Sequence, residues 1–301
     1  MKKLFVYLFV ASLSTTLMAS NNIEASSKYK KASKTIVELA VENGFNSLAA
    51  ALTKTDLVEP LNGKGSFTVF APTDEAFSNL LAAVGQKNLD DVPVSVLKQI
   101  LLYHVVNAEV PSSKVKAGEA TTLEGSTVKL TTKGGIKVNG VSVVSPYDVM
   151  ASNGVIHTVD QVLVPESIAQ FVNTVLEPAY FNKNFSTLIS AAVKADVVST
   201  LLNTPNLTIF APDNAAFKAS GINLDEVDSK TLASVLTYHV VGAKVLSNGI
   251  PESAATVNGQ ELTFSSKNSG SYINGKTKIT AVDIESGSGV VHVIDQVLLP
   301  R

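Results

Sequence analysis

Histidine is the side chain whose ordinary pKa suits it to acid–base work near neutral pH. This chain carries four, and they fall in two pairs. His104 follows Tyr103 in LYHVV, and His239 follows Tyr238 in TYHVV. His157 lies in VIHTVDQVLVP, and His292 in VVHVIDQVLLP. A repeated histidine can be a general base, a metal ligand or a buried group that bonds backbone. The surroundings favour the last. His104 stands seven positions after Leu97, with Ile100 and Leu101 between, on the apolar face of a helix. His239 has the same relation to Leu232, Val235 and Leu236. Both close a helix, where the partial negative charge of the C-terminus favours an imidazole N–H. His157, Val159 and Gln161 share one face of a strand and Asp160 points to the other. A His157–Asp160 dyad is therefore disfavoured by geometry, as is His292–Asp295. The two aspartates are expected to bond backbone amides near a strand end.

Other reactive patterns fare no better. The chain has no cysteine, so it has no disulfide, thiol nucleophile or thiolate metal site. Zinc would need three or four closely spaced ligands, and no His-x-x-x-His pair occurs. No Gly-x-Ser-x-Gly elbow is present, and Ser286-Gly287-Ser288-Gly289 reads as a loop. Gly270 to Thr277, GSYINGKT, matches a phosphate loop by letters. Such a loop must lead into a helix, whereas here Asn274-Gly275 is a hairpin turn followed by a strand. The acidic pair Asp74-Glu75 becomes Asn214-Ala215 in its second occurrence, and helix N-termini attract acids without any chemistry. The reading is a protein that is not an enzyme and that takes no metal or cofactor.

The elements that carry these residues occur twice. FTVFAPTDEAF from Phe67 recurs as LTIFAPDNAAF from Leu207. The Tyr-His motif, the Asn139-Gly140 and Asn274-Gly275 turns and the VIHTVDQVLVP segment recur at a common offset of 135 residues. Same-order repetition of this kind marks tandem modules. Phe45, Leu48, Ala49 and Leu52 recur with helical spacing, as do Phe185, Leu188, Ile189 and Val193. FTVF and LTIF are short strands ending at Ala-Pro, because proline disfavours helix at the residue before it. Thr73 and Asp213 then stand where an N-cap accepts from free amides. Asn-Gly tolerates positive φ at both positions of a two-residue hairpin turn. Helices set apart from an antiparallel sheet give an α+β class for each module. The expected layout is a signal peptide over 1–20, a linker over 21–33, and modules over 34–166 and 167–301.

The N-terminus supports export. Met1-Lys2-Lys3 is basic, Leu4 to Leu13 is apolar, and small and polar residues follow around Ala19 and Ser20. The apolar run is shorter than the ~20 residues that span a bilayer. With no cysteine at the cleavage point, a lipid-anchored export signal is not expected, and the location reads as secreted or periplasmic. The net charge is −2, which argues against nucleic acid as a partner, since that asks for a basic face.

Three landmarks, each present twice and in order, carry a family resemblance. The FTVFAPTDEAF and LTIFAPDNAAF segments, the Tyr103-His104 and Tyr238-His239 pairs, and the two Asp-Gln-Val-Leu boxes resemble the signature motifs of the fasciclin domain family. The resemblance covers nearly all of residues 35–301. It implies a β-sandwich or wedge flanked by helices, and a non-enzymatic role in adhesion or matrix contact. By analogy it implies contact residues at Tyr103, His104, Tyr238 and His239. A segment linked to receptor binding in some animal members matches Pro146 to Met150, which adds Asp148, Val149 and Met150. Tyr147 departs from that pattern, and the second copy keeps only Asp283 and Ile284. The implied partner is a cell-surface or matrix protein or a polysaccharide, with weak self-association open. The alternative is a soluble periplasmic carrier of an apolar small molecule, held between helices and sheet.

Overall fold

A computed structural model describes residues 33–267 and 270–301. The expected signal peptide and most of the linker lie outside the described residues. The chain forms two seven-stranded sheets with helices, one sheet in each repeat, an α+β fold. In the first module the strands are β1 (Phe67–Pro72), β2 (Val105–Val106), β3 (Gly118–Thr121), β4 (Thr127–Thr131), β5 (Lys137–Val138), β6 (Val141–Ala151) and β7 (Gly154–Val159). Their order across the sheet is β2-β1-β7-β6-β5-β4-β3. The second module repeats this with β8 (Thr208–Pro212), β9 (Val240–Val241), β10 (Ser253–Ala255), β11 (Glu261–Lys267), β12 (Gly270–Ile273), β13 (Thr277–Ser286) and β14 (Gly289–Ile294).

One expectation needs correction. The sheets are mixed rather than antiparallel: β1 runs parallel to β7, and β8 parallel to β14. Parallel neighbours need a long crossover, and the helices and the β2–β6 strands supply it. The sheet also curls until its edges meet, with a bridge between Val106 and Thr122 and another between Val241 and Thr256. This makes the wedge.

Alternation along β1 feeds two cores. Val69 and Ala71 face the helices, while Phe70 faces the interior of the wedge with Tyr103, Val128, Val138 and Val159. The helices Asn46–Lys54 and Val94–Tyr103 bury Leu48 and Leu52, and Leu97, Ile100 and Leu101. Thr73 caps the helix Asp74–Ala83 by accepting from the Ala76 amide, and Asp213 does the same for Ala216. Asp74 accepts from the Ser47 amide at 2.7 Å, and Asn214 from the Thr187 amide at 3.0 Å. Either residue supplies the needed oxygen, which explains why an acid in one copy is an amide in the other.

Candidate functional site

The four histidines are buried, each with both ring nitrogens bonded to backbone. His104 Nδ1 lies 2.7 Å from the Ile100 carbonyl, and its Nε2 accepts from the Leu163 amide at 2.8 Å. His239 repeats this with the Val235 carbonyl and the Leu298 amide, both at 2.8 Å. A carbonyl can only accept and an amide can only donate, so the protein fixes the neutral Nδ1–H tautomer. Burial pushes both imidazoles down to about 4, against the opposing pull of the carbonyl bond. His104 thus ties the end of its helix to the strand-end segment at Leu163.

His157 and His292 hold the opposite tautomer. His157 Nε2 donates to the Val110 carbonyl at 2.9 Å, and its Nδ1 faces the Asp148 amide at 3.4 Å. His292 uses the Val245 carbonyl at 2.8 Å and the Asp283 amide at 3.2 Å. Their rings stack on Phe70 and Phe210 inside the wedge. Asp295 accepts from the Lys278 amide at 2.8 Å, as a strand-end acceptor should.

Sequence reasoning weighed Asp160 as a partner of His157 and set it aside; the aspartate that lies beside the ring is Asp148, nine residues back in β6. Asp148 and Asp283 both adopt positive φ, 56° and 58°. The Asp148 carboxylate accepts the Ser112 amide at 2.6 Å and the Ser112 hydroxyl. Asp283 accepts the Ser247 amide at 2.7 Å and the Ser247 hydroxyl. The Ser247 hydroxyl and amide hold the Asp283 carboxyl below the usual carboxylate range. Ser, His and Asp thus meet twice, but not as a catalytic triad. In a triad the serine hydroxyl donates to histidine and the aspartate carboxylate orients the ring. Here serine donates to aspartate, and backbone occupies the histidine nitrogens. The signal that could have found this cluster is the shared offset of 135 among Ser112, Asp148 and His157 and their counterparts Ser247, Asp283 and His292.

The candidate contact residues divide sharply. Tyr103, His104, Tyr238 and His239 are interior and brace the surface from beneath. The Tyr103 hydroxyl donates to the Thr127 carbonyl at 3.0 Å and receives the Asn139 side chain at 2.8 Å. Tyr238 does likewise with Glu261 and Asn274. Asp148 is drawn inward by Ser112. Val149 and Ile284 are half-buried and pair with Ile156 and Val291. Met150 is outward at 45% exposure, as is its neighbour Tyr147 at 54%. The carrier alternative meets a filled interior: the space between helices and sheet, lined by Ile36, Leu52, Val69 and His104, amounts to about 10 Å³. That holds at most one water. Among the described residues no group of three or more His, Cys, Asp and Glu is placed to hold a metal, and no helix is long and apolar enough to cross a membrane.

A tandem pair of curled mixed sheets with their histidines spent on backbone defines a repeat module whose outer surface is its free part. The chain belongs to the fasciclin domain family, whose family model matches residues 43–165 and 183–300. It is 33% identical to human periostin over 230 residues, covering 74% of this chain and 26% of periostin. It is 45% identical to the protein sll1483 of Synechocystis over 133 residues, covering 44% of this chain and 73% of that protein. It is 29% identical to the pig transforming growth factor-beta-induced protein ig-h3 over 265 residues, 87% of this chain and 37% of that one. The chain thus spans about a quarter of the length of periostin and little more than a third of the pig protein. A solved FAS1 domain pair from the insect cell adhesion molecule fasciclin I aligns over 86% of this chain and 98% of that one, at 19% identity and a TM-score of 0.37.

Proposed function

We propose that the chain acts outside the cytoplasm as a non-enzymatic adhesion or matrix-contact protein. Its contacts are made by the outer faces of two tandem fasciclin domains. One observation carries the reading: in both modules every histidine nitrogen is engaged by backbone, so the residues best suited to chemistry serve architecture. What the repeat leaves free is surface. The partner class is a cell-surface or matrix protein or a polysaccharide, and the apolar start of the chain supports secretion or a periplasmic location. Paired modules suit this role, because tethering turns a second weak contact into an intramolecular one.

Deleting the gene and scoring cell–cell and cell–surface attachment tests the reading, with restoration by the full chain as the control. Attachment is expected to fall on deletion and to recover on restoration; unchanged attachment overturns the proposal. A broad hydrolase screen of the wild type and Ser112→Ala tests the other half. Turnover that depends on Ser112 would show that the Ser–Asp–His cluster is reactive after all.

A further inference from the structure

Among the described residues Tyr147 is the only aromatic side chain counted among the exposed large apolar groups. It stands at the mouth of an open cleft of about 320 Å³ lined by Ser112, Ser113, Gly135, Ile136, Val143 and Tyr147. That volume lies at the small end of ligand sites, roughly 300–1,000 Å³. Not one of the six lining residues is charged. Neither the Ser113 hydroxyl nor the Tyr147 phenol bonds another described residue, so both are free for a ligand.

Both neighbours of Tyr147 are anchored. The Pro146 carbonyl accepts from the Thr158 hydroxyl at 2.5 Å, and Asp148 is pinned by Ser112 and His157. The ring is therefore presented with its backbone already ordered, which lowers the cost of binding.

We propose that this cleft in the first module is a binding site for a neutral saccharide. A pyranose offers an apolar face of C–H groups, partially positive, that matches the negative face of an aromatic ring. Its edge offers hydroxyls that pair with Ser113 and with backbone. A neutral cleft with one exposed ring and small polar groups fits that combination, whereas an anionic glycan would ask for lysine or arginine in the lining. The second module supplies an internal control. Val282 stands in place of Tyr147 and Asn248 in place of Ser113, while Ile279, paired with Ile294 as Val143 is with Val159, keeps an apolar side chain at that position. The exposed ring at the Tyr147 position is therefore absent there. The inference rests on the reading of the chain as a contact protein and gives that contact a chemical class.

The test is binding of the full chain to an array of neutral oligosaccharides, followed by saturation-transfer NMR and titration with the best di- or trisaccharide. Wild type is expected to bind at least one neutral glycan, with transfer to the sugar C–H groups. Tyr147→Val, which installs the second module's residue, is expected to weaken binding about tenfold or more. Tyr147→Phe should retain most of it, and Val282→Ala should change nothing. Circular dichroism of each variant shows that the fold is intact. Absence of neutral glycan binding, binding that survives Tyr147→Val, or a Tyr147-dependent contact with a matrix protein instead would each overturn the inference. Loss of attachment on gene deletion without any glycan binding would leave the adhesion reading standing and remove this one. Glycan binding in a strain whose attachment is unaffected by deletion would do the reverse.

Discussion

At the scale of single residues, the sharpest consequence of the structure is pH dependence. His104 and His239 are neutral in the native state, and protonating either would set an N–H against the Leu163 or Leu298 amide. Burial lowers their pKa from 6.5 to about 4. Above pH 6.5 native and unfolded chains are both neutral there, and the full contribution to stability is present. As pH falls from 6.5 towards 4 the unfolded state takes up protons that the native state refuses, so stability is lost across that window. Each histidine is expected to contribute about 3 kcal/mol to that loss, in order of magnitude. The groups lining the cavity around His104 are apolar, among them Ile36, Leu48, Leu61 and Ile156, so no carboxylate there offsets the charge. Urea denaturation at pH 7, 5.5 and 4.5 measures the effect. His104→Gln should lower stability at pH 7 and flatten the acid dependence by the share that His104 contributes. An unchanged acid slope in this variant would show that other groups govern it.

At the scale of elements, the Tyr-His pair joins three pieces of structure. Tyr103 sits on the last helical position before His104, and its hydroxyl reaches the Thr127 carbonyl of β4 and the Asn139 amide in the β5–β6 turn. Asn139 at φ 51° also accepts from the Lys129 amide at 2.7 Å. Tyr103→Phe leaves the Asn139 amide and the Thr127 carbonyl short of a partner, at a cost of about 1–3 kcal/mol. Tyr238→Phe should cost a similar amount through Asn274 and Glu261. Hydrogen exchange should locate the loss at the β4–β5–β6 edge rather than in the helices; uniform loss would refute the local role. What was legible in the sequence here was local. Asn-Gly names its turn, Thr73 and Asp213 name their caps, and helical spacing names most of the buried faces, because each depends on residues a few positions apart; Val193 is the exception, exposed at 62% while Ala192 beside it is buried. The partner of β1 was not legible, since Phe67 pairs with Gly154 far along the chain and nothing near either specifies parallel direction. Nor was Asp148–His157: the break in register between Val144 and Val149 brings Asp148 to the ring, and alternation along a regular strand does not foresee a bulge. The burial of the Tyr-His pair was not legible for a related reason. A recurring motif marks a shared constraint, and here the constraint is internal.

At the scale of the whole molecule, the two modules share apolar interior. One cluster of buried side chains runs from Ile36 and Phe77 in the first module to Phe217 and Val291 in the second. Between them, Val84 and Gly85 of the first module and Pro178, Ala179 and Phe185 of the second line a cleft of about 280 Å³. Ala179 is buried in the short helix Glu177–Tyr180. Domains joined by a small polar interface move and melt independently, whereas a shared apolar interface couples them. Scanning calorimetry of the wild type at pH 7 is therefore expected to show one transition. Ala179→Arg forces a bulky cation into a buried position beside that cleft and should separate that transition into two, with little change in the ellipticity of the native state. Two transitions in the wild type would disprove the coupling. The coupling bears directly on contact. If the modules are held together, the contacts their outer faces make are presented by one body, and a second contact gains from the first without a flexible linker. The Ala179→Arg variant should then weaken attachment to a surface more than it weakens capture of a soluble ligand, because only the former needs both faces at once.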